Sequence, residues 1–148
     1  MRLTLHTDYA LRMLIYISLR EGGLSTIREI SDAYDISRNH LMKVAHKLQK
    51  LGYLETVRGR SGGLALALPG ENVRLGGLVH DLEPDMALAE CLGPDNRCVI
   101  TPDCALRDAL RKARQAFLAA LDEYTLADLA TPGKRARALR HHLQIVNI

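Results

Sequence analysis

The chain has no run of apolar residues long enough to cross a membrane. Its longest hydrophobic pattern, Leu11 to Leu19, is broken by Arg12 and Ser18 and followed by Arg20, whereas a spanning helix needs about 20 consecutive apolar residues. The opening MRLTLHTDYA lacks the short apolar core and small-residue cleavage site of a signal peptide, which points to the cytoplasm, a reducing compartment where free thiols persist. There is no Ser/His/Asp ordering and no glycine-rich nucleotide loop, so nothing argues for an enzyme. Cysteine is scarce. The chain has 3, an odd number that makes a poor disulfide framework.

What the chain does contain is unevenly spread. From Ser37 to Arg60 the bases Arg38, Lys43, Lys47, Lys50, Arg58 and Arg60 face a single acid, Glu55. Acids predominate from Glu71 to Ala130, and the tail is basic again at Lys134, Arg135, Arg137 and Arg140. A basic block inside a mildly acidic protein suggests an anionic partner for that block.

Hydrophobic periodicity orders the first half. Leu5 to Arg20 reads as a helix with Leu11, Leu14, Ile15 and Ser18 on one face, ended by Gly22-Gly23. Thr26 and Glu29 form the signature of a capping box opening a second helix, with Ile27, Ile30 and Ala33 inward. After the turn Tyr34-Asp35-Ile36, Ser37 is the N-cap of a third helix to about Leu51, packed through Leu41, Val44, Leu48 and Leu51. Tyr53 to Val57 reads as a strand and Arg58 to Gly63 as a turn. A return strand then alternates Leu64, Leu66 and Leu68 up to Pro69. Helix, helix, turn, basic helix and hairpin is the order of a winged helix-turn-helix.

The expected fold is mainly α: a winged helix-turn-helix DNA-binding domain over 1–70 and a connecting helix, Leu75 to Leu82, with a cysteine loop over 71–103. A dimerisation helix over 104–130 and a basic, disordered tail over 131–148 complete it. The dimerisation helix carries Leu106, Leu110, Ala113, Phe117, Leu121 and Tyr124 in one coiled-coil-like seam. Such a seam points to a homodimer, whose paired winged domains match palindromic half-sites on double-stranded DNA.

In that arrangement Ser37, Arg38, Asn39 and His40 crowd the first turn of the recognition helix. Arginine can bind guanine and asparagine adenine through paired hydrogen bonds. Lys43 and Lys47 lie one turn apart and suit phosphates. Arg58 and Arg60 flank a glycine at the wing tip, where arginine suits a narrow minor groove.

The three cysteines, Cys91, Cys98 and Cys104, read C-x6-C-x5-C in a loop interrupted by Gly93, Pro94 and Pro102. That spacing fits an iron–sulfur cluster better than a redox disulfide, and a disulfide better than structural zinc, which favours paired, closely spaced thiols. A fourth ligand is required, and the oxygen and nitrogen donors to choose from are Glu90, Asp95 and Asp103 in the loop and Asp8, His6 and His80 outside it.

Three segments carry a family resemblance: MRLTLHTDYALR, ISRNHLMKVAHKLQKLGYLETVRGRSGGLALALP and CVITPDCALRDALRKARQAFLAALDEYTLADL. From Met1 to about Leu129 the chain resembles the nitric-oxide-sensing repressors among the bacterial winged-helix regulators, the family that includes the iron–sulfur regulator IscR. The resemblance implies a homodimer with one cluster per subunit, [4Fe–4S] favoured over [2Fe–2S]. It implies Cys91, Cys98 and Cys104 as ligands and Asp8 of the partner subunit as the fourth. Arg12, one turn after Asp8, would orient that carboxylate. It also implies a holo dimer that represses from a palindromic operator and releases it when nitric oxide attacks the cluster. IscR-like members carry a ligating histidine where this chain has Arg107, which cannot bind iron. Iron- or redox-responsive members of the same family remain the alternative.

Overall fold

The computed structural model describes residues 2–145. Three helices come first: α1 (Leu5–Leu19), α2 (Ile27–Tyr34) and α3 (Arg38–Lys50). A hairpin of β1 (Leu54–Val57) and β2 (Gly63–Leu66) follows, then α4 (Leu75–Leu82), α5 (Ala105–Asp122), α6 (Leu126–Ala130) and α7 (Lys134–His142). No described helix is long and apolar enough to cross a membrane.

The helix-turn-helix forms as its local signals require. Thr26 accepts the Glu29 amide at 3.2 Å, and the Glu29 carboxylate takes back the Thr26 amide at 2.7 Å, so the box caps α2 in both directions. The turn into α3 passes through Asp35 at φ 52°, and Ser31 Oγ donates to the Ile36 carbonyl at 2.6 Å across it. Ile30, Leu41, Val44 and Leu48 are buried against Ala10, Met13, Leu14 and Ile17 of α1. Gly52, at φ 81°, reverses the chain after α3. The hairpin is antiparallel, with Leu54 opposite Leu66 and Val57 opposite Gly63. Gly63 must be glycine on steric grounds: an added Cβ would lie 2.8 Å from the Ser25 carbonyl oxygen, where β2 bridges to the loop before α2.

Glu29 also ion-pairs with Arg20 at 2.5 Å. Partial burial pushes the Glu29 carboxyl up, but the Thr26 amide and hydroxyl and the Arg20 guanidinium outweigh it and hold it below the usual range. A depressed folded-state pKa gives stability that is present above the unfolded value and is lost as pH falls through the folded one. Glu29→Gln is therefore expected to flatten the acid limb of stability against pH, measured by urea unfolding at a series of acidic pH values. A variant with the wild-type slope would remove Glu29 from this role.

Four expectations need correction. α1 does not present one face: Ala10, Met13, Leu14, Tyr16, Ile17 and Leu19 are buried, while Leu11, Ile15 and Ser18 are only half-buried. The helix is apolar almost all round, so periodicity cannot select its most enclosed side. The return strand stops at Leu66, and Leu68 beyond it is 42% exposed.

The helix expected to run on through residue 130 stops at Asp122. Thr125 then caps α6 with its own capping box, and Leu126 is fully buried. The reversal is fixed by Leu75 N–H donating to the Tyr124 carbonyl at 3.1 Å and Leu126 N–H to the Val73 carbonyl at 2.9 Å.

The tail is not disordered over its described residues. α7 lies back on α1, with Ala136, Leu143 and Ile145 buried and Arg140 Nε donating to the Leu19 carbonyl at 2.8 Å. Its apolar positions are too few to show a periodic pattern. Residues 146–148 of the expected tail lie outside the described residues.

Candidate nucleic-acid interface and cysteine loop

Packing α3 inward through Leu41, Val44 and Leu48 leaves its other face in solvent. Ser37, Arg38, Asn39, His40 and Lys43 are all exposed and Lys47 is half-buried. Ser37 stands at the N-cap position, exposed, and its hydroxyl makes no capping bond. Arg38 is 3.6 Å from Asp32 of α2. The His40 ring lies 6.3 Å from that of Tyr9 in α1. Arg58 and Arg60 are exposed at the wing tip, where Gly59 takes φ 124°. The structure thus brings all eight residues onto the outer surface of one unit.

Sequence reasoning missed several members of this surface. Met42, 52% exposed, and His46 lie on the same face of α3. Gln49 Nε2 donates to Thr56 Oγ1, joining the recognition helix to the first wing strand. Tyr53 donates to Asp81 Oδ2 at 2.7 Å, tying the start of the wing to α4, and burial followed by that carboxylate raises its phenol. None of these pairings leaves a trace in local periodicity.

The cysteines occupy the loop between α4 and α5. Cys91 lies in a short 3-10 turn, Glu90–Leu92, and Cys104 immediately precedes α5. Both are half-buried, Cys98 is exposed, and all three are free thiols. Side chains rather than core packing hold the backbone here. Glu90 accepts the Arg97 amide at 2.9 Å, Asn96 accepts the Cys98 amide at 3.0 Å, and Thr101 Oγ1 donates to the Cys98 carbonyl at 2.7 Å. Arg107, in the first turn of α5, donates from Nε to the Cys91 carbonyl at 3.2 Å.

Among the described residues no three His, Cys, Asp or Glu side chains converge as a metal site. The donor set still fits an iron–sulfur cluster chemically, with three undisulfided thiols on a loop open to solvent. Of the other donors considered, Glu90 already holds a backbone amide, His80 lies 3.6 Å from Asp81, and His6 Nε2 is buried without a partner.

Asp8 and Arg12 pair at 2.8 Å, both partly exposed, on the first turns of α1. The Arg12 guanidinium also stands 5.9 Å from the centre of the Tyr34 ring at the end of α2. Burial pushes the Tyr34 phenol up to about 12, with Arg12 opposing. One side chain therefore touches both the carboxylate and the helix-turn-helix.

Residues 3–132 match the Rrf2 family, described as iron-dependent transcriptional regulators. The chain belongs to the Rrf2 family. Over 131 residues it is 48% identical to the HTH-type transcriptional regulator NsrR of Bacillus subtilis strain 168, covering 87% of this chain and 90% of that protein. The fold agrees with that of CymR, the global cysteine regulator of B. subtilis, at a TM-score of 0.72 and 23% identity, over 88% of this chain and 97% of that one. It agrees equally with T. potens IscR, at a TM-score of 0.71 and 18% identity, over 90% and 93% of the two chains. This Rrf2 protein is a DNA-binding transcriptional regulator and not an enzyme. Its winged helix-turn-helix is the family's fold.

Proposed function

We propose that this Rrf2 regulator is a cytoplasmic repressor that binds a palindromic operator as an iron–sulfur homodimer and lets go in response to nitric oxide. The observation that carries this is the pairing, in one NsrR-like chain, of a solvent-open loop with three free thiols and an outward-facing basic recognition helix. Cys91, Cys98 and Cys104 would hold a cluster, [4Fe–4S] favoured over [2Fe–2S], with Asp8 of the partner subunit as the fourth donor. Bound there, the cluster supplies iron that nitric oxide can attack.

The chain's own residues support a dimer. Val99 is 91%, Ile100 61% and Leu106 64% exposed beside the thiols, more apolar surface than a monomer usefully leaves in water. No residue of α5 is fully buried, and its Phe117 and Leu121 line an apolar groove of about 500 Å³ with Leu11 and Val79. Within each chain, Arg12 would connect the state of Asp8 to α2. A change in the placement of the two recognition helices worth a hundredfold in affinity takes only about 2.7 kcal/mol.

The test is an anaerobic nitric-oxide titration followed by visible absorption and by operator binding. Bleaching together with loss of DNA is expected; a reconstituted cluster indifferent to nitric oxide would overturn the sensing role. The family's description as iron-dependent favours a second reading, an iron- or redox-responsive regulator using the same thiols. Operator release on iron depletion or oxidation alone would select it.

At the DNA surface, Lys43→Ala is expected to lower the slope of log affinity against log salt by about one unit per protomer, because one phosphate fewer is neutralised and one counterion fewer is released. An unchanged slope would take Lys43 out of the phosphate contacts.

A further inference from the structure

The C-terminal helix α7 lies outside the part of the chain that matches the Rrf2 family, which ends at residue 132. It is nonetheless seated on the DNA-binding unit. Ala136, Leu143 and Ile145 are buried, Arg140 bonds the last turn of α1, and Leu143 and Gln144 lie beside Tyr16, Arg20, Glu29 and Asp32. Glu29 and Asp32 belong to α2, the helix that crosses the DNA backbone in a docked helix-turn-helix. The anchoring therefore sets the C-terminal end of α7, at Arg140, Leu143 and Gln144, beside α1 and α2 of this unit.

The outward face of α7 has one sign of charge. Lys134, Arg135 and Arg137 are exposed in its first turn, His141 and His142 are exposed in its last, and no acid occurs from Thr131 onward. Helix stability does not explain this pattern. Cations complement the macrodipole at a C-terminus, but at an N-terminus they oppose it, and that is where Lys134 and Arg135 sit. Burial does not explain it either, since the inner face is carried by Ala136, Leu139 and Leu143.

We infer that α7 is an accessory DNA-binding element, whose Lys134, Arg135 and Arg137 contact the phosphate backbone flanking the operator half-site. Its role rests on the DNA-binding reading above. Contacts of this kind carry no base information, so α7 contributes affinity and salt dependence rather than sequence choice.

The test uses the full-length, cluster-loaded protein and a duplex selected from random-sequence DNA by the wild type, flanked by about one helical turn (about 10 base pairs) on each side. The triple variant Lys134→Gln, Arg135→Gln, Arg137→Gln changes only exposed side chains, and an unaltered melting temperature confirms that α7 stays folded and docked. Its affinity is expected to fall at least about tenfold and its salt slope by about two to three units per protomer, at roughly 0.9 for each phosphate no longer neutralised. The selected base sequence should not change. Wild-type affinity and slope in the triple variant would overturn the role of α7 alone. Failure of the wild type itself to bind any duplex would overturn the DNA-binding reading with it. If the triple variant proves unstable, Arg137→Gln by itself, expected to lose about one unit of slope, decides the matter.

Discussion

Cys98→Ser is expected to abolish the visible absorption of the anaerobically purified protein and to reduce operator affinity by about a hundredfold, or about 2.7 kcal/mol. Serine differs from cysteine by one atom, and Cys98 is exposed, so the core does not feel the change. The backbone around it is fixed by others: Asn96 accepts its amide at 3.0 Å and Thr101 donates to its carbonyl at 2.7 Å. The loop should therefore keep its course while losing a soft thiolate that a neutral hydroxyl replaces poorly on iron. Circular dichroism and the melting temperature are the controls. A serine variant that keeps both its colour and its DNA would exclude Cys98 from the ligand set.

The second large effect concerns the packing that sets α5 on the DNA-binding unit. Gly76→Ala is expected to destabilise the protein by about 1–3 kcal/mol, the usual cost of forcing extra volume into a packed contact. A Cβ at Gly76 would lie 2.3 Å from the Leu118 carbonyl oxygen and 2.5 Å from Asp122 Oδ1, so α4 and α5 would have to part. The neighbouring residue is the internal control. Gly77 has nothing within 4 Å of an added Cβ, and its amide, which donates to Asp122 at 3.0 Å, would survive substitution. Gly77→Ala should thus gain the ordinary helix preference for alanine, about 0.5–1 kcal/mol. Opposite signs at adjacent positions of one helix, read by thermal or urea unfolding, would establish the close approach of α4 and α5. Two stabilising substitutions would refute it.

Legibility in the sequence followed the range of the interactions. The capping box at Thr26 and Glu29, the αL turn at Asp35 and the stripe Leu41, Val44 and Leu48 are all built from successive steps of five positions or fewer. A linear reading therefore placed the recognition helix and its exposed residues where the structure has them. The Asp8–Arg12 pair, one turn apart, was equally visible. The face of α1 was not, because its apolar residues are spread around the whole helix and its neighbours come from both ends of the chain.

The sequence by itself determined that a basic helix follows a helix-turn and precedes a glycine-rich hairpin, and that three thiols share one loop. Local hydrogen bonds and side-chain spacing are sufficient causes for both. Only the tertiary structure decided that α6 and α7 turn back onto α1, that Arg107 grips the Cys91 carbonyl, and that Arg140 reaches the Leu19 carbonyl across 121 positions of sequence. Such contacts form when the apolar sides of separate elements are buried together. They depend on which surfaces are left uncovered once the helices have formed, and no spacing within a single segment records that.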